Sequence, residues 1–576
     1  MMMCVAAVLV SCSTSTAPKH TCTQVSVLRA NGSDGVLWLP VQESMGEANI
    51  RILADNNQLE FIRVRLAKDS IDYFVPYELS RWGGRDLVIE FRTWLPDTVR
   101  RDKMVCWEAI RITNDELKIT NGDSPYRSLY HQTPAYGWMN DPNGMYYDEA
   151  SGLWHLYYQH NPYGAMWGNM HWAHSTSHDL LHWEHQPIAI RPTALGTIFS
   201  GSCVIDRNNT AGFGENAVVA LFTSDGESQK QAIAYSLDGG QTFTHYAGNP
   251  VLTDTIADFR DPKVFRDTIT NRWVMVLACQ QEMRFYASEN LKDWTYLSRF
   301  GEGYGCHDGV WECPDLIKVQ SDKGQGTKES KWVLLVNINP GGPFGGSATQ
   351  YFVGEWDGKE FKCENSKCEN DQMTKWLDYG KDHYATVTWH NAPDNRVVAI
   401  GWMSNWQYAN QLPTLPFRSQ NTIARDLSLY IDDAGEYRVA VKPSPESMAL
   451  RGEVVNDLPD AAVVELTLDG NQNALITLAN DKGEKVVMTL DVHRQTFSMD
   501  RTAAGDCSFS PDFAAVTTAP LFVKRDMYHV TLFIDHCSIE AFDSEGAWAM
   551  TNLVFPSEPY NRLDVQGGEA KIYNIR

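Results

Sequence analysis

Trp154-His155-Leu156-Tyr157-Tyr158-Gln159 is a run of aromatic and aliphatic residues bounded by Gly152 on one side and Asn161-Pro162 on the other. A short apolar run between turn residues reads as a buried β-strand. Four more runs of this kind follow: Val218 to Thr223, Trp273 to Cys279, Trp332 to Asn337 and Val397 to Trp402, with starts 55 to 65 residues apart. After each of the first four comes a turn followed by an aromatic residue. These are Ser177-His178-Asp179 to Trp183, Ser236-Leu237-Asp238-Gly239-Gly240 to Phe243, Ser288-Glu289-Asn290 to Trp294, and Trp356-Asp357-Gly358 to Phe361. A lone four-stranded sheet cannot bury both faces, whereas a closed ring of such sheets can. A period of this length with several strands per unit therefore predicts a β-propeller. Five repeats predict five blades, over residues 126–440.

On either side of the ring the strand signals continue without the repeat. Gly35 to Leu39, Gln58 to Leu66 and Asp86 to Phe91 predict an additional N-terminal β domain over 22–125. Lys442-Pro443-Ser444-Pro445 punctuates the chain near residue 440. The alternating runs Val463 to Leu468, Ala474 to Leu478, Val486 to Leu490 and His529 to Phe542 then predict a C-terminal β-sandwich over 441–576. The expected fold class is all-β. The first ten residues, Met1 to Val10, form an apolar run too short to cross a bilayer, which takes about 20 residues. They end at Leu9-Val10-Ser11-Cys12, which resembles a bacterial lipobox, although no Lys or Arg precedes Ala6. Residues 1–21 are thus expected to be an export segment. Cys12 would be the lipid anchor, and the only membrane contact, of a periplasmic or cell-surface lipoprotein.

The composition limits the function classes. Lys+Arg number 49 and Asp+Glu 72, a net charge of −23, which repels a phosphate backbone and makes nucleic acid an unsuitable partner. Hydrophobic residues at 43% of a 576-residue chain suffice for several cores, and 12 cysteines are too few for a disulfide-built scaffold. Cys363 and Cys368 are a close pair, suited to a hairpin disulfide or left as two thiols.

Three acidic motifs fall in three different repeats: Trp138-Met139-Asn140-Asp141-Pro142-Asn143-Gly144, Phe259-Arg260-Asp261-Pro262 and Trp311-Glu312-Cys313-Pro314-Asp315. Singly they are ordinary turn chemistry. In this order and spacing they resemble glycoside hydrolase family 32, the invertase, inulinase and levanase group that acts on β-fructosides. Tyr157-Tyr158-Gln159, Trp167-Gly168, Phe199-Ser200-Gly201, Gly401-Trp402-Met403 and Phe533-Ile534-Asp535 to Phe542 extend the resemblance over residues 126–576. It implies Asp141 as nucleophile, Asp261 as transition-state stabiliser and Glu312 as acid/base, with no cofactor and no metal. It also implies substrate contacts from Asn140, Gln159, Trp167, Ser200, Arg260 and Trp402, and a fructan or sucrose as substrate.

The chemistry suits those residue types. Cleavage of a ketofuranoside passes through an oxocarbenium-like state, so one ionised carboxylate attacks while a protonated one donates to the leaving oxygen, about 5–5.5 Å away in retaining enzymes. Trp311, Cys313 and Pro314 are expected to keep the Glu312 proton by making its surroundings apolar. Asn140 and Asn143 are expected to favour ionised Asp141 by donating amides, and Arg260 to hold Asp261 ionised. Release of single fructose units is the default expectation. An endo-levanase or endo-inulinase, and a non-catalytic glycan-binding surface lipoprotein, are the alternatives.

Two rival signals have structural readings. His171, His174, His178, His182 and His185 stand three and four apart, a metal-binding face if helical but not on strands. Ser236 to Phe243 resembles the Asp-box turn of sialidase propellers, a structural device remote from catalysis.

Overall fold

The computed structural model describes residues 21–96, 104–114, 119, 124–321, 329–364 and 374–576. The segment holding Cys12 lies outside the described residues, as does Cys368.

Five sheets form the propeller. From the inside outward, the first blade is Gly137–Asp148, Leu153–Asn161, His171–Ser177 and Glu184–Ile190. The second is Thr197–Asp206, Ala217–Asp225, Gln229–Ser236 and Thr244–His245. The third is Phe259–Asp267, Arg272–Cys279, Glu282–Ser288 and Thr295–Phe300. The fourth is Val310–Gln320, Ser330–Asn339, Ala348–Trp356 and Phe361–Cys363. The fifth is Tyr384–Thr388, Val398–Met403, Arg425–Ile431 and Tyr437–Pro443.

The five apolar runs are the second strands of the five blades, and their lack of polar alternation has a geometric cause. Alternate residues of one such strand face the two neighbouring blades, so both faces are buried. Val274, Val276 and Ala278 pack toward the fourth blade, while Met275 and Leu277 pack toward the second. Val219 and Leu221 face the third blade; Val218, Ala220 and Phe222 face the first. The ring closes where Phe417–Arg418 pairs in parallel with Gly137 and Trp138 of the first inner strand.

The recurring turns join third to fourth strands, and each uses one side-chain oxygen as a substitute backbone acceptor. Asp179 Oδ1 accepts from the amides of Leu181 (3.0 Å) and His182 (2.8 Å). Asp238 Oδ1 does the same for Gln241 and Thr242, Asn290 Oδ1 for Lys292 and Asp293, and Asp357 Oδ1 for Lys359 and Glu360. The fifth blade has its counterpart at Asp432, bonded to the amides of Ala434 and Glu436. The Asp-box likeness at Asp238 is thus one instance of a turn built five times.

The C-terminal sandwich pairs a six-stranded sheet with a five-stranded one. It is bolted to the propeller by buried charge. Asp535 accepts from the Leu129 amide (2.9 Å) and bonds His131 Nδ1 (2.8 Å), whose Nε2 meets Glu540 (2.8 Å). Arg425 of the fifth blade reaches both Asp378 (2.7 Å) and Glu540. The Phe533 to Phe542 segment therefore acts at this joint. The N-terminal unit has a four-stranded sheet and a three-stranded sheet around its own apolar cluster, into which Ile50, Ile52, Tyr73 and Val75 point.

The five closely spaced histidines lie on two strands and the turn between them, and they diverge. His171 bonds the Asn169 carbonyl, His174 bonds His155, His178 bonds the Gly152 carbonyl and His182 bonds Asp179. Among the described residues no three potential ligands converge on one point.

Candidate active site

Each of the five inner strands carries a β-bulge at the same level: between Asn140 and Pro142, Ile198 and Gly201, Arg260 and Lys263, Glu312 and Asp315, and Tyr384 and Val387. A bulge breaks the strict alternation of a strand and re-aims one side chain. Here the five bulges carry Asp141, Ser200, Asp261, Glu312 and Tyr384. Three residues take the left-handed backbone conformation to do it, Asp261 (φ +66°), Cys313 (φ +42°) and Ala385 (φ +52°).

A cavity of about 300 Å³ opens over these residues, lined by Asn140, Asp141, Gln159, Trp167, Phe199, Ser200, Arg260, Asp261, Glu312 and Trp406. Asp141 Oδ2 accepts a hydrogen bond from the Ser200 hydroxyl at 2.6 Å and one from the Cys313 thiol at 3.5 Å. Asp261 Oδ2 accepts from the Cys313 amide (3.0 Å) and thiol (3.6 Å). Burial holds the Cys313 thiol protonated, and the charges of Asp141 and Asp261 add to the effect, so a neutral donor sits between two carboxylates. Glu312 Oε1 accepts from Arg260 Nε (3.1 Å) and Nη2 (2.9 Å), and Oε2 accepts from the Tyr384 hydroxyl. Burial and the Glu312 charge keep that phenol protonated.

Three expectations about protonation are corrected. Glu312 is not in apolar surroundings, because Arg260 from the third blade and Tyr384 from the fifth reach its carboxylate, and a sequence neighbour cannot report on them. Arg260 serves Glu312 and Asp258 rather than Asp261, whose nearest approach to it is 4.0 Å. The carboxyl that burial pushes up, to about 7, is Asp261; Arg260 pulls against this, while Glu312 and Asp141 add to it. The asparagines do not donate to Asp141 either. Asn140 Oδ1 accepts from Trp138 Nε1 (2.7 Å) and Asn143 Oδ1 from the Gly201 amide (3.2 Å).

Of the residues expected to touch substrate, Asn140, Gln159, Trp167, Ser200 and Arg260 line the cavity, whereas Trp402 does not. Trp402 is fully buried behind it, packed against Trp138, Tyr384 and Trp406. Trp406, on the loop after the same strand, presents its ring in its place. Gln159 Nε2 and Asp141 Oδ1 are buried with no protein partner, two polar atoms aimed at a polyhydroxylated guest. Sequence reasoning missed Tyr384, Cys313 and Trp406. The repeat itself held the signal for Tyr384. It precedes the fifth apolar run as Asp141, Ser200, Asp261 and Glu312 precede theirs, by between 12 and 20 residues. Asp315, the last residue of the third motif, is structural: it is fully buried and bound by Lys263 (2.8 Å) and by the amide and hydroxyl of Thr388.

Comparison with known proteins agrees with this architecture. The models for the glycosyl hydrolases family 32 N-terminal domain and C-terminal domain match residues 131–443 and 440–575, and a domain of unknown function (DUF4980) matches 22–130. A levanase of Bacillus subtilis is 41% identical over 77% of this chain and 68% of its own. An extracellular exo-inulinase of Aspergillus awamori is 36% identical over 79% and 95%. The crystal structure of exo-inulinase from Aspergillus awamori superposes with a TM-score of 0.73 at 34% identity, covering 79% of this chain and 99% of that one. A β-fructofuranosidase of Schwanniomyces occidentalis complexed with fructosyl-erythritol gives 0.70 at 33%, over 78% and 97%. Since the matched models run without a gap through propeller and sandwich, and relatives of this identity share both, the chain belongs to glycoside hydrolase family 32.

Proposed function

We propose that this protein is a retaining β-fructofuranosidase that removes terminal fructose units from fructans and from sucrose. The observation that carries this reading is the small cavity with Asp141, Asp261 and Glu312 at its wall, joined through Cys313 and Arg260. At about 300 Å³ it lies at the bottom of the roughly 300–1,000 Å³ range of small-molecule sites. That volume suits one sugar ring entering from a chain end better than a polymer lying across an open cleft.

In this reading Asp141 attacks the anomeric carbon and forms a fructosyl-enzyme ester as Glu312 protonates the departing oxygen. Glu312 then deprotonates the water that cleaves the ester. Asp261, held by the Cys313 amide, grips hydroxyls of the fructosyl ring. Burial raises the Asp261 carboxyl to about 7; Arg260 opposes the rise, and the charges of Glu312 and Asp141 add to it. Levan, inulin and sucrose are all candidate substrates, consistent with the names of the relatives. Export is the natural setting for a polymer-degrading enzyme, with the Leu9-Val10-Ser11-Cys12 tetrad supporting lipidation at Cys12; mass spectrometry of the mature N-terminus tests it.

The deciding experiment is a time course of products from levan, inulin and sucrose with wild type, Asp141→Asn and Glu312→Gln. Fructose alone from the earliest points, with kcat lowered by about 10³ or more in both variants, is the expected result. Early oligosaccharides would assign endo-action. No release by the wild type would leave a glycan-binding protein.

A further inference from the structure

Besides contacts with Tyr136, Leu415 and Arg191, the N-terminal unit packs on a loop of the catalytic propeller, residues 162–170 between the second and third strands of the first blade. Trp167 sits on that loop, 43% exposed at the mouth of the cavity, with its ring edge-on to Phe199. The apolar side chains of the loop, Tyr163 and Ala165, are buried in the cluster of the N-terminal unit together with Ile50, Tyr73 and Tyr77. The Ala165 amide donates to Glu43 (2.9 Å) and to the Tyr73 hydroxyl (2.8 Å), and Tyr73 in turn donates to Glu43. Two residues past Trp167, Asn169 makes a two-bond clasp with the edge strand of the N-terminal unit. Its Oδ1 accepts from the Arg63 amide (2.9 Å) and its Nδ2 donates to the Arg63 carbonyl (2.9 Å).

The propeller holds the same loop as well: the Trp138 amide donates to the Gly164 carbonyl (3.0 Å), Arg418 Nη1 to the Ala165 carbonyl (2.8 Å) and Asn169 Nδ2 to Asn161 Oδ1 (3.1 Å). Asn410 Oδ1 accepts from the Trp167 amide (3.0 Å), and Asn161 Nδ2 donates to the Met166 carbonyl (2.8 Å). A nine-residue loop bearing an exposed indole has many conformations of similar energy unless both its ends and its apolar contacts are fixed. In this chain Glu43 and Tyr73 fix it on one side of Trp167 and the Arg63 clasp on the other.

Resting on the reading of the cavity as a fructosyl site, we propose that the N-terminal unit works as a positioning element of that site. It sets the pose of Trp167 and thereby the affinity for substrate, with Asn169 and Glu43 as its positioning residues. Trp167 touches the sugar; the N-terminal unit acts only through it. The unit then contributes to KM and leaves the carboxylate chemistry nearly unchanged.

The test is steady-state kinetics of the full chain on sucrose and on a fructan. Asn169→Gly removes both clasp bonds, and with them the Asn169 Nδ2 bond to Asn161 Oδ1 (3.1 Å), and adds no strain, because Asn169 already has φ +44°; Glu43→Ala breaks the N-terminal contact without touching Asn161. Glu43→Gln retains an acceptor for Ala165, whereas Glu43→Ala does not. Asn169→Gly and Glu43→Ala are expected to raise KM about three- to tenfold with kcat within about twofold, and Glu43→Gln to restore most of the loss. The decisive arm is a double-mutant cycle with Trp167→Ala, in which Asn169→Gly should have no further effect on KM. An active wild type whose KM is unmoved by either variant, or moved equally with and without Trp167, overturns the positioning role while leaving the fructosidase reading intact. A wild type inactive on every fructoside overturns both. Should Glu43→Ala fail to fold, Asn169→Gly carries the comparison alone.

Discussion

Replacing Asp261 by Asn is expected to abolish activity and to stabilise the protein, but only above mildly acidic pH. The carboxyl is 5% exposed, and burial moves it from 3.8 to about 7. The folded chain thus keeps a proton there that the unfolded chain releases near pH 4, so between these two values folding loses stability as pH rises. Below about pH 4 both states are protonated and nothing is lost; above about pH 7 the full penalty applies. At 1.36 kcal/mol per unit, a shift of about 3 units is about 4 kcal/mol, an upper bound. Part of it is returned, because the Arg260 guanidinium 4.0 Å away loses a nearby charge while keeping Glu312 and Asp258. A net gain of about 2 kcal/mol is the working figure. Asn tolerates the left-handed backbone at this position, and its carbonyl oxygen can still accept from the Cys313 amide, so the substitution introduces no competing strain. Thermal unfolding of wild type and Asp261→Asn at pH 4 and pH 8 reads the difference. The midpoint should rise by about 2–3 °C at pH 8 and by less than about 1 °C at pH 4. Equal shifts at both values, or a lower midpoint at pH 8, would refute the argument that burial of a charge at the site is what costs stability.

Three further outcomes follow from named contacts. Trp406→Ala should raise KM about tenfold with little loss of stability, whereas Trp402→Ala, which empties a fully buried site, should cost about 3–5 kcal/mol in denaturant unfolding. Lys263→Met strands the buried Asp315 carboxylate and should destabilise by about 3–5 kcal/mol; adding Asp315→Asn should recover a large part, measured by the same unfolding curves. His131 lies between Asp535 and Glu540: burial alone would lower its pKa, but the two hydrogen bonds outweigh it and raise the ring to about 9. The stability this provides is fully present below about pH 6.5 and lost as pH rises through about 9. His131→Gln should accordingly flatten the alkaline fall of the unfolding midpoint without altering product identity.

The propeller was legible because its strands are buried on both faces. Five apolar runs and four Asx or Ser turns recur in register, and a two-sided strand leaves no polar alternation to confuse with a helix. The carboxylates were legible as motifs, since each bulge needs particular neighbours: a turn-forming Asn-Asp-Pro-Asn-Gly stretch, or a residue able to take positive φ as Asp261 does. Their protonation was not legible. Arg260 meets Glu312 across 52 positions of sequence and Tyr384 meets it across 72, so the electrostatics of the acid/base candidate belongs to the ring and to none of its blades. Trp402 misled for the same reason. The family resemblance implied a substrate contact from Trp402, but the strand buries it, and only the conformation of the following loop brings Trp406 forward.

The placement of the site follows from the ring. A bulge on each inner strand brings five re-aimed side chains together, at a density of charge that no single sheet could present. Neutral donors separate that charge: the Ser200 hydroxyl and Cys313 thiol on Asp141, the Cys313 amide on Asp261, and the Tyr384 phenol on Glu312. Among the described residues one cation, Arg260, lines the cavity with them. A second guanidinium would relieve the crowding further, and with it the upward shift of Asp261 that keeps a proton within the cluster. Crowded carboxylates with too few cations are unfavourable for folding, as the Asp261→Asn comparison should show. Burial is the larger cause of the Asp261 rise, and the charges of Glu312 and Asp141, only partly offset by Arg260, add to it.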